Sequence, residues 1–314
     1  MKILVTGAAG FMGSHLCDCL LKFGHNVVGI DNFFRGIKEN LPKHKNFKFH
    51  EFDLLKLNGL EKILNDNNIE IVIHYAAING TKYFYDIPFK VCNDNIIMTQ
   101  NLLSSLTKSV RKVIYASSSE VYGPSPKIPT SEIEPIILHS NQDRDSYASS
   151  KAIGEFLVRL WSKENNKEFL ILRPFNTYGS RMATNGYGQV IPEFIERILN
   201  KDEFFMYGDG TQTRSFCHVS DHVRIVSEIL LNQKNQIFNI GFDEEITIYE
   251  LAKNIHDIFK QDFNPTFLPA WSNDTKWRKP DLSNIKSALN KKHDFINLNE
   301  GLKEILSNQY SLTF

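Results

Sequence analysis

The chain has 314 residues, of which 42% are hydrophobic and 23% are charged, and its 36 Lys and Arg residues balance its 36 Asp and Glu residues. This length and apolar content are enough for a sizeable buried core, which excludes extended disorder and a small disulfide-stapled scaffold. Zero net charge provides no global positive field, so the composition predicts neither a nucleic-acid nor a membrane partner.

The four cysteines are scattered, and none forms the C-x-x-C spacing that is typical of zinc sites and redox dithiols. We therefore expect reduced thiols and no bound metal. The first apolar run, residues 3–5, is too short for a signal peptide, and no later run approaches the length of a membrane span. Together these features predict a soluble, cytoplasmic protein.

Short apolar runs bounded by turn residues recur through the first half of the chain, and each predicts a buried parallel strand. The predicted strands are residues 2–6, 26–30, 47–51, 69–74, 112–116 and 169–172. Segments with helical spacing lie between them, at residues 12–23, 57–65, 94–106 and 149–163. This alternation predicts an α/β fold with a Rossmann-type, doubly wound parallel sheet.

The alternation ends after Arg173, where a loop rich in Gly and Asn begins. Beyond it the pattern predicts strands at 204–207 and 236–240 and helices at 191–200, 248–259 and 298–306. We therefore predict a Rossmann domain over residues 1–174, with its sheet completed by parts of 204–240. Residues 175–203 and 241–314 form a smaller C-terminal α/β lobe in this prediction.

Gly7, Gly10 and Gly13 lie directly after the first predicted strand and open the first predicted helix. Glycine at these places lets the backbone turn tightly and approach a pyrophosphate, while the helix N-terminus offers amide donors. Asp31 follows the second strand, where a carboxylate binds ribose hydroxyls and repels a 2′-phosphate. The pattern predicts NAD rather than NADP, a preference that Arg35 weakens slightly. A tight turn without a ligand is the alternative for the glycines.

Tyr147 and Lys151 are four residues apart and therefore share one face of a predicted helix. The same spacing occurs at Tyr249 and Lys253, within a predicted surface helix of the C-terminal lobe, and we interpret that pair as structural. The first pair follows a loop at the mouth of the sheet, and it is the candidate catalytic pair.

With the glycine triplet, the Tyr147 and Lys151 pair and S-S-S-E-V-Y-G at 117–123, the chain resembles the extended short-chain dehydrogenase/reductase family. The similar branch is the NAD-dependent nucleotide-sugar epimerases, dehydratases and decarboxylases. Further matches are H-Y-A-A at 74–77, Asn95, R-P-F-N at 173–176, Y-G-D-G-T-Q-T-R-S-F at 207–216 and R-K-P-D at 278–281. The resemblance covers nearly the whole chain and implies a nucleoside-diphosphate sugar as substrate, bound largely by the C-terminal lobe.

The resemblance implies that Tyr147 takes the proton from a C4 hydroxyl of the sugar as hydride passes to NAD. A neighbouring ammonium and the positive nicotinamide both favour a phenolate, so Lys151 is expected to bring the pKa of Tyr147 into working range and to hold the nicotinamide ribose. Ser118 is expected to stabilise the developing alkoxide, with Ser117 and Ser119 as rivals for that role.

The resemblance also implies two sets of binding residues. The expected cofactor-binding residues are Gly7, Gly10, Phe11, Met12, Gly13, Asp31, Asn32, Asp53, Leu54, Ala76, Ala77, Asn95, Tyr147, Lys151 and Pro174. For Asp53, a helix cap is the equal alternative. The expected substrate-binding residues are Ser118, Ser119, Asn176, Gln189, Val190, Arg214 and Arg278, with Tyr187 as a further candidate. Of these, Asn176, Arg214 and Arg278 are expected around the diphosphate and nucleoside.

Glu120 bears on the reaction type. In the resembling family, members that only invert C4 usually have a small or neutral residue here, whereas many dehydratases and decarboxylases have glutamate. A carboxylate beside a 4-keto sugar can take a proton from C5 or protonate a leaving hydroxyl at C6. We therefore expect Glu120 to be catalytic in an elimination, either 4,6-dehydration or decarboxylation. The alternatives are 4-epimerisation, a non-catalytic NAD-sensing protein and, for Glu120 itself, an exposed helix-capping glutamate.

Three further features complete the expectations. Residues 78–86 form part of the expected sugar pocket and match no substrate class. The helix at 152–161 has an apolar stripe wider than one contact needs, and with the helix at 95–106 it corresponds to the family's four-helix dimer interface. We therefore expect a homodimer. His218 and His222 are interpreted as helix-packing residues, because no third metal ligand accompanies them.

Overall fold

The computed structural model describes residues 1–183, 189–270, 275–289 and 294–312. The strands are β1 (Lys2–Thr6), β2 (Asn26–Asp31), β3 (Phe47–Glu51), β4 (Ile71–His74), β5 (Lys112–Ala116), β6 (Glu168–Pro174), β7 (Thr177–Tyr178), β8 (Phe205–Tyr207), β9 (Thr213–Arg214), β10 (Cys217–His218), β11 (Gln236–Ile240), β12 (Ile246–Thr247) and β13 (Thr266–Leu268). The helices are α1 (Phe11–Lys22), α2 (Leu60–Asp66), α3 (Thr81–Asp86), α4 (Pro88–Ser104), α5 (Asp145–Glu164), α6 (Val190–Asn200), α7 (Val219–Asn232), α8 (Ile248–Phe259), α9 (Ser283–Ala288) and α10 (Leu298–Tyr310).

Within these residues, seven strands form one parallel sheet in the order β11-β6-β5-β4-β1-β2-β3. β1 pairs with both β2 and β4, so the chain winds outward in two directions from this point. Open sheets of this kind bind ligands beyond the carboxyl ends of their strands, at the place where the strand order reverses. The predicted Rossmann-type α/β fold is confirmed.

Helices cover both faces of the sheet, as the alternating side chains of β1 illustrate. Ile3 and Val5 pack in a cluster with α1 and α7, whereas Leu4 points to the opposite cluster with α2 and α4. A further cluster joins α6, α8 and α10 in the C-terminal part of the chain. Each layer therefore has a buried apolar face, which is the pattern expected for a parallel sheet covered on both sides.

The structure changes several predicted boundaries. The helix predicted from residue 94 begins at Pro88, because proline is well suited to the first turn of a helix. The helix predicted from residue 57 begins at Leu60, after Gly59 in a left-handed conformation with φ +108°. Of the segment 204–240, β11 extends the central sheet, whereas β8 pairs with β13 in a separate small sheet.

The remaining expectations concern membranes, thiols and metals. No helix in the described ranges combines the length and apolar character that crossing a bilayer requires. All four cysteines are free thiols. His218 caps the N-terminus of α7, and the His222 Nε2 lies 2.7 Å from the Tyr75 hydroxyl oxygen. Among the described residues, no three His, Cys, Asp or Glu side chains are grouped as metal ligands.

Gly154 provides a test of the packing between α5 and β5. A Cβ at this position would lie 2.0 Å from the buried hydroxyl oxygen of Tyr115. Alanine in place of glycine normally stabilises a helix interior by about 0.5–1 kcal/mol. Because of the overlap, we expect Gly154→Ala to destabilise the protein by about 1–3 kcal/mol instead. Urea unfolding of this variant and of Lys163→Ala, at an exposed position of the same helix, checks this; equal stability of Gly154→Ala and wild type would contradict it.

Candidate active site

The carboxyl ends of the parallel strands open into a cleft of about 2590 Å³. Residues of the sheet side, such as Asp31 and Ser118, line one wall, and residues such as Phe194 and Arg214 line the other. The cleft thus lies between the Rossmann sheet and the C-terminal helices, at the place where open α/β sheets bind ligands.

The turn from β1 to α1 forms one end of the cleft. Gly7 has φ +71°, and a Cβ there would lie 2.9 Å from the Ala76 nitrogen. A Cβ on Gly13 would lie 2.0 Å from the Gly7 carbonyl oxygen. Side chains are therefore excluded at both positions, and the backbone amides at the start of α1 stay accessible to a phosphate group.

Asp31, at the end of β2, is fixed by the backbone around it. Its Oδ2 accepts a hydrogen bond from the Ala9 nitrogen at 3.0 Å, and its Oδ1 accepts one from the Phe33 nitrogen at 2.8 Å. Burial raises the pKa of Asp31, and these hydrogen bonds oppose the rise. A carboxylate held at this point is placed as NAD requires, so the glycine turn and Asp31 both fit that cofactor.

The expected cofactor-binding residues all line the cleft except Asn95. The buried Asn95 side chain accepts a hydrogen bond from the Ile78 nitrogen at 2.7 Å and donates to the Ile78 oxygen and to Ser150 Oγ, both at 3.1 Å. Asn95 therefore holds the backbone of Ile78, a residue that lines the cleft, without lining the cleft itself. Asp53 lines the cleft, and its Oδ1 accepts a hydrogen bond from the Leu55 nitrogen in a turn rather than at a helix N-terminus.

Tyr147 and Lys151 lie buried on the first turns of α5. The Lys151 Nζ donates to the Ala116 oxygen at 2.7 Å and lies 5.8 Å from the centre of the Tyr147 ring. Burial lowers the pKa of Lys151 to about 7, against the opposing charge of Glu155. Burial raises the pKa of Tyr147, and Glu120 raises it further. The protein without cofactor therefore keeps the phenol protonated.

The three serines after β5 have different partners. The Ser118 hydroxyl hydrogen-bonds the Tyr147 hydroxyl and opposes the rise of the Tyr147 pKa. The Ser117 hydroxyl donates instead to Glu155 at 2.5 Å. Ser119 is buried beside them and lines the cleft. Of the three, Ser118 is the serine whose hydroxyl lies beside the Tyr147 hydroxyl, which is where a hydrogen-bond donor to a reacting C4 oxygen is expected.

Glu120 and Arg278 form a bidentate ion pair in the cleft. The Arg278 Nη1 donates to Glu120 Oε1, and its Nη2 donates to Glu120 Oε2 at 3.2 Å. Burial alone would raise the pKa of Glu120, but Arg278, Arg144 and Arg214 hold it at about 2. Glu120 is therefore not an exposed helix-capping residue, and its surroundings in the protein without substrate keep the carboxyl group ionised.

The other expected substrate-binding residues also reach the cleft. Asn176, Gln189, Val190 and Arg214 line it, and the Arg214 Nη1 donates to the Thr213 and Thr275 oxygens, both at 2.8 Å. Arg278, expected around the diphosphate and nucleoside, also lines the cleft, where its guanidinium is bound to Glu120. Tyr187 lies outside the described residues.

Two residues of the cleft were missed by the sequence analysis. Phe84 of α3 stacks on Tyr147, with ring centres 4.9 Å apart and planes at 11°. It lies in the segment 78–86, which matched no motif. Arg144 precedes α5, lines the cleft and lowers the pKa of Glu120. Its place three residues before Tyr147 was a usable signal, because such residues are neighbours on a helical turn.

The second tyrosine and lysine pair lies elsewhere. Tyr249 is 39% exposed and Lys253 is exposed on α8, and neither lines the cleft. Equal sequence spacing thus produces one buried pair at the mouth of the sheet and one pair at the surface.

Comparison with known proteins identifies the family. The model of the NAD dependent epimerase/dehydratase family matches residues 3–241. The chain belongs to this family. The resemblance stated from the motifs is confirmed, and NAD is confirmed as the cofactor, because the family depends on NAD and the β1–α1 turn fits it.

Similar members of the epimerase/dehydratase family catalyse different reactions. The chain is 34% identical over 307 residues to UDP-glucuronic acid decarboxylase 1 of Arabidopsis thaliana, covering 98% of the chain and 69% of that relative. It is 33% identical over 313 residues to UDP-N-acetyl-alpha-D-glucosaminuronate decarboxylase of Bacillus cytotoxicus, covering 97% of the chain and 96% of that relative. Among solved structures, it is 31% identical to UDP-glucuronic acid 4-epimerase of Bacillus cereus in complex with UDP-glucuronic acid and NAD, with a TM-score of 0.86 and all of both chains covered.

The lowered pKa of Lys151 predicts a pH-dependent effect on stability. The pKa of Lys151 is about 7 in the folded protein and 10.5 as its ordinary value. The folded protein therefore binds fewer protons between these values, and its stability rises with pH through that window. Methionine does not titrate, so we expect Lys151→Met to stabilise the cofactor-free protein more at about pH 6 than at about pH 10.

Thermal unfolding at the two pH values measures this difference. Lys253→Met removes an exposed lysine of the same spacing pattern and should change stability equally at both pH values. A stabilisation by Lys151→Met that does not vary with pH would show that the lysine titrates normally.

Proposed function

We propose that this protein is an NAD-dependent decarboxylase of nucleoside-diphosphate uronic acids, with a UDP-linked uronic acid as substrate. The observation that carries the proposal is the ionised Glu120–Arg278 pair in the cleft, beside Ser118 and Tyr147. The similarity to two decarboxylases of UDP-linked uronic acids supports the same reaction.

The described residues supply the groups that this reaction needs. NAD held by the β1–α1 turn and Asp31 would supply the hydride acceptor for C4 oxidation and the hydride donor for its reversal. Tyr147 takes the proton of the C4 hydroxyl and returns it at the end, and Ser118 donates a hydrogen bond to the C4 oxygen. In the 4-keto uronic acid, the C5–C6 bond breaks, carbon dioxide leaves, and the electron pair passes to the C4 oxygen as an enolate. A solvent proton then adds to C5.

The charge state of Glu120 favours decarboxylation over 4,6-dehydration. Dehydration needs a base to remove the C5 proton and an acid to protonate the leaving hydroxyl at C6. A carboxyl group with a pKa of about 2 is a weak base and has no proton to give near neutral pH. Decarboxylation needs neither step, because the bonding pair of C5–C6 passes into the enolate of the 4-keto group when carbon dioxide leaves.

Positive charge around Glu120 suits an anionic sugar. Arg144 and Arg214 act on Glu120 in addition to Arg278, so three positive charges influence this carboxylate among the described residues. Because Arg278 is already bound to Glu120, it does not neutralise the carboxylate of the substrate, which loses its charge only by leaving as carbon dioxide. We propose that this balance attracts the uronic acid without stabilising it against decarboxylation.

The second candidate function is 4-epimerisation of the same class of sugar. The similarity to the Bacillus cereus UDP-glucuronic acid 4-epimerase favours it. Epimerisation needs Tyr147, Lys151 and Ser118 for oxidation of C4, followed by return of the hydride to the opposite face of the sugar. None of the steps of epimerisation requires the Glu120–Arg278 pair.

We expect Glu120→Gln to separate the two candidates. The substitution releases Arg278, which can then bind the substrate carboxylate, so KM should fall while carbon dioxide release slows on the order of 10²-fold or more. Oxidation of C4, seen as absorbance of reduced cofactor, should persist. Glu164→Gln, at an exposed position of α5, is the control and should behave as wild type.

Mass spectrometry of the wild-type protein with NAD and a panel of UDP-, GDP-, CDP- and dTDP-linked sugars and uronic acids tests the reaction itself. Loss of carbon dioxide from a uronic acid supports the decarboxylase. A product of unchanged mass at a new chromatographic position would replace it with the epimerase, and loss of water would indicate the dehydratase.

We propose that residues 1–174 with β11 bind NAD and that residues 175–203 and 241–314 bind the nucleotide sugar. The cleft-lining residues of the two parts support this division. The free cysteines support a cytoplasmic location.

We further propose a homodimer in which α4 and α5 of each copy form a four-helix bundle. Apolar side chains are exposed on these two helices, with Phe89 80%, Phe156 53% and Leu160 45% accessible. Exposed apolar side chains clustered in this way are typical of protein interfaces.

Phe156→Glu should convert the dimer to a monomer, because a charge would be buried without a partner in the interface. Light scattering measures the mass in solution. Phe267→Glu is the matched control, since Phe267 on β13 is 52% exposed and lies outside these helices. A monomeric wild-type protein would remove the proposed dimer.

A further inference from the structure

Asn239 is a buried polar residue outside the cleft that has hydrogen bonds in three directions. It lies on β11, paired in register with Arg173 of β6, and its side chain is fully buried. It does not line the cleft. A buried amide in such a position is stable only when its donors and acceptor are satisfied, so its partners show what it holds together.

The acceptor end of the Asn239 side chain holds the turn that carries Glu120. Asn239 Oδ1 accepts a hydrogen bond from the Tyr122 hydroxyl at 2.7 Å. Tyr122 is buried and lies two residues after Glu120 in the 3-10 turn Ser119–Tyr122. Burial raises the pKa of Tyr122 to about 12, so its hydroxyl remains a donor at any working pH.

The donor end holds the segment that follows Arg278. Asn239 Nδ2 donates to the Thr130 oxygen at 2.9 Å and to the Asp281 oxygen at 3.3 Å. Thr130 in turn binds the same segment through its backbone, since its nitrogen donates to the Lys279 oxygen and its oxygen accepts from the Asp281 nitrogen, both at 2.8 Å. These residues come directly after Arg278 in the chain.

The backbone of Asn239 connects this arrangement to the sheet. Its nitrogen donates to Glu132 Oε1 at 2.8 Å, and the Glu132 carbonyl accepts from Arg173 Nη1 at 3.2 Å. Arg173 is bound to Glu155 of α5 by hydrogen bonds of 2.8 and 2.7 Å. The orientation of the Asn239 side-chain amide is also fixed. Exchange of its Oδ1 and Nδ2 would place the oxygen against the carbonyls of Thr130 and Asp281 and would break these hydrogen bonds.

We propose that Asn239 is a positioning residue that fixes Glu120 and Arg278 relative to each other for the step after C4 oxidation. The two ends of one rigid amide hold the two segments from which the partners of the ion pair come. Tyr147 and Lys151, which serve the oxidation, lie on α5 and have no hydrogen bond to Asn239 among those described. This inference rests on the proposed decarboxylase function.

Asn239→Asp and Tyr122→Phe test the inference, because the first removes two donors and the second removes only the bond to Oδ1. In the holoenzyme with UDP-glucuronic acid, we expect reduced cofactor to form within about twofold of the wild-type rate, while carbon dioxide release falls about tenfold or more. Ser227→Ala, which removes a buried 2.7 Å hydrogen bond within α7, is the control. It should leave the ratio of the two rates at the wild-type value.

A proportional loss of both rates in Asn239→Asp and Tyr122→Phe would overturn the inference, since that result indicates a merely structural role. If Asn239→Asp does not fold, Tyr122→Phe decides alone, because it preserves the shape of the side chain. If the wild-type protein inverts C4 and releases no carbon dioxide, the proposed function fails. Crystal structures of the variants then still test the positioning, and an unchanged Glu120–Arg278 contact in both would overturn it.

Discussion

A buried ion pair between Glu155 and Arg173 connects α5, the helix that carries Tyr147 and Lys151, to the central sheet. Two hydrogen bonds join the side chains, and both are almost wholly buried, so loss of either partner would leave an uncompensated charge at a cost of about 3–5 kcal/mol. The same carboxylate accepts the Ser117 hydroxyl, which fixes the start of the turn that carries Ser118 and Glu120. Its charge also opposes the lowering of the Lys151 pKa. One interaction thus sets both the geometry and part of the electrostatics of the cleft.

The surroundings of the ionisable groups in the cleft determine which of these groups are charged near neutral pH. Lys151 and Tyr147 are both shifted toward their neutral forms by burial, whereas Glu120 is held ionised by three arginines. Near neutral pH, Tyr147 therefore keeps its proton and Glu120 carries a negative charge.

The sequence predicted the features that depend on local spacing. Short apolar runs located the strands, the glycine triplet located the β1–α1 turn, and context separated Tyr147 with Lys151 from Tyr249 with Lys253. The Glu120–Arg278 pair joins residues 158 positions apart, and no local pattern indicates such a contact. Phe84 and the partners of Asn239 were missed for the same reason, because tertiary packing rather than spacing brings these residues together. The ionised state of Glu120 also escaped prediction, since its pKa depends on arginines that the fold brings to it.

Cofactor binding and reaction outcome depend on different parts of the chain. The β1–α1 turn and Asp31 are built from the first 31 residues and serve any reaction that begins with oxidation of C4. The partner of Glu120 comes from a segment near the C-terminus that Thr130 and Asn239 hold in place. The NAD site and the Glu120–Arg278 pair therefore depend on segments that lie far apart in the chain. Such a division gives a physical reason why relatives with the same fold and cofactor include both decarboxylases and epimerases.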